Sequence, residues 1–252
     1  MLRHVHNRAR INLATSQAMV RELERHGFRN VELWPRGVDT EAFHPRRRTA
    51  AMRTRLAGGQ ADRIVLLYAG RLAVEKQLDR LLPVLASQPG VTVAFVGDGP
   101  DRARLERLFA DLPAVFTGFL QGAELAEAYA SADAFLFPST TETLGLVLLE
   151  AVASGLPVVA ARSAPTLELF GDDDTGAAVL FDPADPASLL AAVARLAADV
   201  PAHRERAARA RERAGEWDWQ VPTRHLVGLY ETIARDRQAQ SDRPSIARAR
   251  LE

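Results

Sequence analysis

The sequence predicts an α/β fold of the doubly wound, Rossmann-like class, with helices on both faces of a parallel sheet. Two observations predict it. Short apolar runs without polar alternation recur along the chain, the pattern of strands buried on both faces. Longer stretches with apolar residues at helical spacing lie between them, as βαβ units require.

The elements follow in order. Residues 64–69, Ile-Val-Leu-Leu-Tyr-Ala, form an apolar run that stops at Gly70, and 78–86 reads as the helix after it. Residues 91–96 repeat the pattern and end in Gly97-Asp98-Gly99-Pro100, with a helix expected over 102–110. A short strand at 115–117 and a helix at 123–130 come next. The strand at 134–137 is stopped by Pro138, which cannot donate to a central ladder. Helix 145–154, strand 157–160, strand 179–181 and helix 186–198 complete the alternation.

The two ends differ from this core. Residues 11–14, 16–26 and 31–34 read as strand, helix and strand, with Ser16 as N-cap and Gly27 as C-cap. One such unit is too small to bury a core of its own. The stretch 46–62, carrying Arg46-Arg47-Arg48, reads as a surface connection. The tail after 235 is polar, Arg-rich and interrupted by Pro244, and is expected to be disordered.

Composition excludes several classes. Lys plus Arg equals Asp plus Glu at 32 each, so no basic excess points to nucleic acid. The absence of cysteine excludes disulfides and thiolate chemistry, and fits a reducing compartment. No apolar run approaches the ~20 residues that span a bilayer. The first residues lack the apolar core of a signal peptide. A cytoplasmic protein is expected, with peripheral contact at the inner face of a membrane left open.

In open α/β sheets, ligands bind beyond the carboxyl ends of the strands. Four loops there stand out. Gly70-Arg71-Leu72-Ala73-Val74-Glu75-Lys76 sets two cations before a helix, suited to a diphosphate. A pair of solvated charges is the commoner meaning of that position. Gly97-Asp98-Gly99-Pro100 permits close backbone approach, though a plain turn is the commoner meaning of so short a pattern. Residues 138–145 lead into a helix that carries Glu150, and the N–H groups of Thr143, Leu144 and Gly145 would be free there. Glu142 suits the positive end of that helix whether or not a ligand binds. Glu150 sits among Leu148, Leu149, Ala151 and Val152 and needs a partner, either ribose hydroxyls or a buried Arg. The fourth loop, Arg162 with 163–168, is open to either reading.

In this order and spacing the segments resemble the family 4 (group 1) retaining glycosyltransferases of the GT-B fold. The likeness rests on Gly-Val-Asp-Thr-Glu-Ala-Phe-His-Pro at 37–45, Gly70-Arg71 with Glu75-Lys76, Gly97-Asp98-Gly99-Pro100, Thr117-Gly118-Phe119 and Ala132-Asp133. Its most specific piece is Glu142 and Glu150 with seven residues between them.

The resemblance implies roles. Arg71 and Lys76 would neutralise the diphosphate of a UDP-, GDP- or ADP-sugar, without a metal or other cofactor. Glu142 would hold the donor sugar with the backbone of 143–145, and Glu150 would take the ribose hydroxyls. Gly70 and Gly97 would let the backbone approach the donor. Gly118 and Phe119 would lie near the nucleobase.

The resemblance also implies a division of the chain. Residues 1–36 would be the remnant of an N-terminal acceptor domain, most of which is missing. Residues 37–216 would be the donor domain, 217–235 a crossing helix and 236–252 the tail. A lipid or glycan acceptor is implied, the lipid by the likeness of 33–39 and 217–220 to glycolipid-forming members. The alternative is a nucleotide-sugar-binding module that needs a separate acceptor domain. Two departures stand out: Leu144 replaces the usual Phe, and Ser163-Ala164-Pro165-Thr166 replaces paired glycines, which should narrow the approach to the donor.

Overall fold

The computed structural model describes residues 1–140, 145–171 and 177–241. The chain begins with a small unit: α1 (Leu2–His6), β1 (Asn12–Ala14), α2 (Gln17–Arg25) and β2 (Val31–Leu33). Its two strands pair in parallel, and Ser16 caps α2 by accepting the Met19 N–H at 3.1 Å.

Next come α3 (Ala50–Leu56), β3 (Ile64–Ala69), α4 (Leu82–Ser87), β4 (Val91–Val96), α5 (Arg102–Leu108), β5 (Ala114–Gly118) and α6 (Gly122–Ser131). Then follow β6 (Ala134–Phe137), α7 (Leu146–Ala153), β7 (Val158–Ala161), α8 (Ala164–Phe170), β8 (Ala178–Phe181), α9 (Pro186–Ala198), α10 (Val200–Glu212) and α11 (Gln220–Ser241). Strands β3 to β8 form one parallel sheet in the order β5-β4-β3-β6-β7-β8. This is the expected doubly wound sheet. The strand order reverses between β3 and β6, which opens a crevice beyond their carboxyl ends.

Both sheet faces are buried, which is why the strands read as continuous apolar runs. Val65, Leu67 and Ala69 of β3 pack with Tyr129, Phe135 and Leu148 on one side. Leu66 and Tyr68 pack with Phe95, Leu105 and Val193 on the other.

Several local expectations are corrected. Residues 46–62 are more than a surface connection. Thr49 accepts the Met52 N–H at 3.2 Å to cap α3, and Met52 and Leu56 are buried in the core. Two buried positions in one short helix are too few to show a period. The helix expected over 78–86 starts as a 3-10 turn, Leu78–Leu81, and becomes α-helical at Leu82. Pro83 has no N–H to donate, so it suits the first turn of the α-helix and not its middle. Residues 163–168 are the start of α8, with the Ser163 N–H donating to Thr166 Oγ1 at 2.9 Å and Pro165 in the first turn. The departure from paired glycines therefore makes a helix N-terminus. Helix α10 has no clear apolar stripe and buries only His203 and Ala207. The final helix continues to Ser241, beyond the boundary expected at 235; residues 242–252 lie outside the described residues.

Arginines close the end of the sheet opposite the crevice. Arg204 donates to the Ala132 carbonyl and Arg211 to the Ala153 carbonyl, each at 2.7 Å. Arg53 reaches the Ser131 carbonyl at 3.4 Å. These carbonyls belong to the C-terminal ends of α6 and α7, where cations are favoured.

The first unit is tied to the rest of the chain. Trp34 donates its indole N–H to the Pro222 carbonyl at 3.0 Å and lies 6.5 Å from Trp219. The Gln17 N–H donates to Glu168 of α8 at 3.2 Å, and just beyond this unit the Thr40 hydroxyl donates to Asp218 at 2.7 Å. Thus α8 and the start of α11 hold residues 1–36 against the large sheet. Among the described residues no helix is long and apolar enough to cross a membrane.

Candidate functional site

The loops after β3, β4 and β5 lie side by side because their backbones bond to each other. The Gly70 N–H donates to the Val96 carbonyl, the Gly97 N–H to the Gly118 carbonyl and the Leu72 N–H to the Asp98 carbonyl, all at 2.9 Å. Position 97 requires glycine. Its φ is +137°, and a Cβ there would sit 2.0 Å from the Gly70 carbonyl oxygen.

Above this floor lies a cavity of about 430 Å³. Five of the expected residues line it: Gly70, Arg71, Gly97, Phe119 and Glu150. They arrive from β3, β4, β5 and α7, so the sheet order, not sequence proximity, assembles them. Gly118 lies directly before Phe119 at the end of β5. Gly145 is the N-cap of α7, with φ +56°. Lys76 ends the 3-10 turn Val74–Lys76 and does not line the cavity. Glu142, Thr143 and Leu144 lie outside the described residues.

Arg71 is 63% exposed and pairs with Glu75 one turn on. An exposed pair of this kind is worth about 0–1 kcal/mol, so an incoming anion can replace Glu75 at little cost. Phe119 is 72% exposed and offers a ring face beside the cavity. Asp98, which the sequence did not single out as a ligand group, also lines it. The Gly99 N–H at 2.7 Å, helped by Arg102 at 3.0 Å, lowers the Asp98 pKa below the usual carboxylate range.

Glu150 has a partner that the sequence did not reveal. Its Oε2 accepts the Tyr129 hydroxyl at 2.7 Å. Burial pushes the Glu150 carboxyl up, and the Tyr129 bond offsets part of that rise. Burial, then the Glu150 charge, pushes the Tyr129 phenol well above its usual range, so it remains a donor. No local pattern marks Tyr129: it is one more residue on the buried face of α6.

A raised native pKa means that the folded state holds the Glu150 proton more tightly than the unfolded chain does. The stability of the neutral form is present at low pH and is lost as pH rises through the native pKa. Glu150→Gln, a neutral mimic, should therefore stabilise the empty protein at pH 7 by about 0.5–2 kcal/mol. The gain should fade as pH falls into the carboxylate range. Urea unfolding of both proteins across that range checks it; a gain that grows on acidification has the wrong sign.

Among the described residues no group of three or more His, Asp or Glu side chains is placed to hold a metal ion.

The architecture and this crevice define a doubly wound α/β domain with a largely apolar cavity at its switch point, which Arg71, Asp98 and Glu150 also line. The chain belongs to the group 1 glycosyl transferases, whose family profile matches residues 57–217. It is 41% identical over 227 residues to the sulfoquinovosyl transferase SQD2 of Arabidopsis thaliana, covering 88% of this chain and 44% of that protein. It is 34% identical over 232 residues to a GDP-mannose-dependent alpha-mannosyltransferase of Corynebacterium glutamicum, covering 92% of this chain and 55% of that protein. The chain thus spans about half the length of these relatives.

Among solved structures, sucrose-phosphate synthase of Thermosynechococcus elongatus superposes with a TM-score of 0.81 at 26% identity, over 93% of this chain and 61% of that one. HepE of Anabaena in complex with UDP superposes with a TM-score of 0.80 at 23% identity, over 91% of this chain and 66% of that one, a likeness of fold. The structural neighbours are glycosyltransferases of the GT-B fold.

Proposed function

We propose that this chain supplies the donor site for glycosyl transfer from a nucleoside-diphosphate sugar, with retention of anomeric configuration. The observation that carries this is the convergence of Arg71, Phe119 and Glu150 on one cavity at the switch point of the sheet. Each part of a nucleotide sugar finds its chemistry there. Arg71, with Lys76 from the next turn, neutralises the diphosphate. Glu150 accepts the ribose hydroxyls, and Phe119 stacks on the base. Glu142 and the backbone of 143–145 position the sugar, as the family resemblance implies.

In transfer, the bond from the sugar C1 to the diphosphate oxygen breaks. A bond from C1 to the acceptor oxygen forms on the same face. The acceptor proton passes to the leaving diphosphate, which gains negative charge as it departs. Arg71 and Lys76 stabilise that developing charge, and Glu142 acts as a positioning group. The activities for which the relatives are named, sulfoquinovosyl and mannosyl transfer, support this class of reaction. A lipid or glycan is the proposed acceptor, bound by a domain outside residues 37–216.

A thermal-unfolding panel of UDP-, GDP- and ADP-sugars tests the reading. Ligand at 100 times its Kd stabilises by about 2.7 kcal/mol, a rise of several degrees for a chain of this size. One nucleotide series should give that rise. No rise with any of the three at millimolar concentration overturns the donor site.

A further inference from the structure

Among the described residues the Glu150 carboxylate is reached by one hydrogen bond from within the protein, from the Tyr129 hydroxyl at 2.7 Å. The donor is held rigidly. Tyr129 is fully buried, and its ring stacks on Phe135 with centroids 5.4 Å apart and planes 21° from parallel. Phe43 meets it edge-on at 5.3 Å and 88°. The phenol therefore cannot swing away from the carboxylate without disturbing the core that joins α6, β6 and α7. Glu150 is the flexible partner, because the terminal torsion of a glutamate is broad and two-fold. Both residues line the same cavity.

We propose that Tyr129 is a positioning residue for ribose recognition. Its hydroxyl occupies one lone pair of Glu150 Oε2 and fixes the plane of the carboxylate. The remaining lone pairs, about three of the four on a carboxylate, then face the cavity in one orientation. A bound ribose finds its acceptor already ordered, so the ordering cost falls on folding and not on binding. This rests on the placement of ribose at Glu150 proposed above. It adds that the discrimination between ribose and deoxyribose is set by a residue in the protein interior.

The test is calorimetric titration of the full chain with UDP and 2′,3′-dideoxy-UDP, which lacks both hydroxyls that Glu150 would accept, repeated with GDP and its dideoxy form. Wild type should bind the ribonucleotide about tenfold or more tighter than the dideoxy form, as loss of charge-assisted hydrogen bonds implies. Tyr129→Phe keeps the ring and its stacking. It should weaken ribonucleotide binding about tenfold while changing the dideoxynucleotide Kd less than about twofold. A merely structural role would weaken both equally, and that result overturns the proposal while leaving the ribose site standing. Wild type that fails to distinguish ribose from dideoxyribose, or that binds no nucleotide, overturns the ribose placement and this inference together. A second comparison is made in the Glu150→Ala background, where no side-chain oxygen is left for the Tyr129 hydroxyl to order. There, removal of the Tyr129 hydroxyl should leave ribonucleotide affinity within about twofold. A tenfold loss in that background would show that Tyr129 acts without Glu150, against the proposal.

Discussion

Asp133→Ala should lower folding stability by about 3–5 kcal/mol, the range for removing one partner from a buried charge cluster. Asp133 is buried just before β6. One carboxylate oxygen accepts the Val65 N–H of β3 at 2.8 Å and the guanidinium of Arg53 from α3. The other accepts Arg204 of α10 at 2.8 Å. One short side chain thus ties two helices to the central strand. Burial lowers the Arg204 pKa, and Arg48 and Arg53 lower it further; Asp133 opposes them all. Without Asp133, two partly buried guanidinium groups face each other and the Val65 N–H loses its acceptor. The exposed pair between Arg102 and Glu106 is the control, since such pairs contribute about 0–1 kcal/mol. Urea unfolding should show Glu106→Ala near wild type and Asp133→Ala far below it. Similar midpoints for the two variants would mean that the Asp133 cluster is not a tie between layers.

The second large effect concerns binding. Arg71→Ala with Lys76→Ala should weaken nucleoside-diphosphate affinity by about 10²–10⁴-fold, since each charge-assisted bond contributes about 1.5–3 kcal/mol. Arg71 lines the cavity and Lys76 does not, so the Arg71 single variant should carry the larger share in the ground state. Lys76→Ala should lower the transfer rate more than the affinity, because its charge matters most when the diphosphate departs. Arg71 is well exposed, so its loss should leave stability within about 0.5 kcal/mol. Titration with UDP and GDP, beside turnover of the matching sugar nucleotide, separates binding from rate. A double variant that binds within threefold of wild type would place the diphosphate elsewhere.

Much of the cavity's lining was legible in the sequence. Arg71, Gly97, Phe119 and Glu150 stand at strand ends or one turn into the next helix, and a doubly wound sheet brings such positions together. Their motif spacing named the family that the comparisons show. The partner of Glu150 was not legible. Ribose or a buried arginine was expected, and the structure supplies Tyr129, 21 residues away on another helix. Helices α3 and α10 were missed for a related reason. Thr49 is a recognisable cap, but only Met52 and Leu56 of α3 are buried. Helix α10 is a polar sequence held largely by Arg204 and Arg211.

The sequence by itself determined the fold class, the positions of the sheet strands and the charged residues at their ends. It could do so because burial on both faces leaves an uninterrupted apolar run, and a glycine or proline that ends such a run is a local signal. The tertiary structure alone decided which groups meet. The strand order β5-β4-β3-β6-β7-β8 set Arg71 and Glu150 on one cavity, placed Tyr129 under Glu150 and gathered Arg53, Arg204 and Val65 around Asp133. Those contacts join residues far apart in the chain, and a hydrogen bond across such a distance leaves no period or spacing in the sequence that carries it.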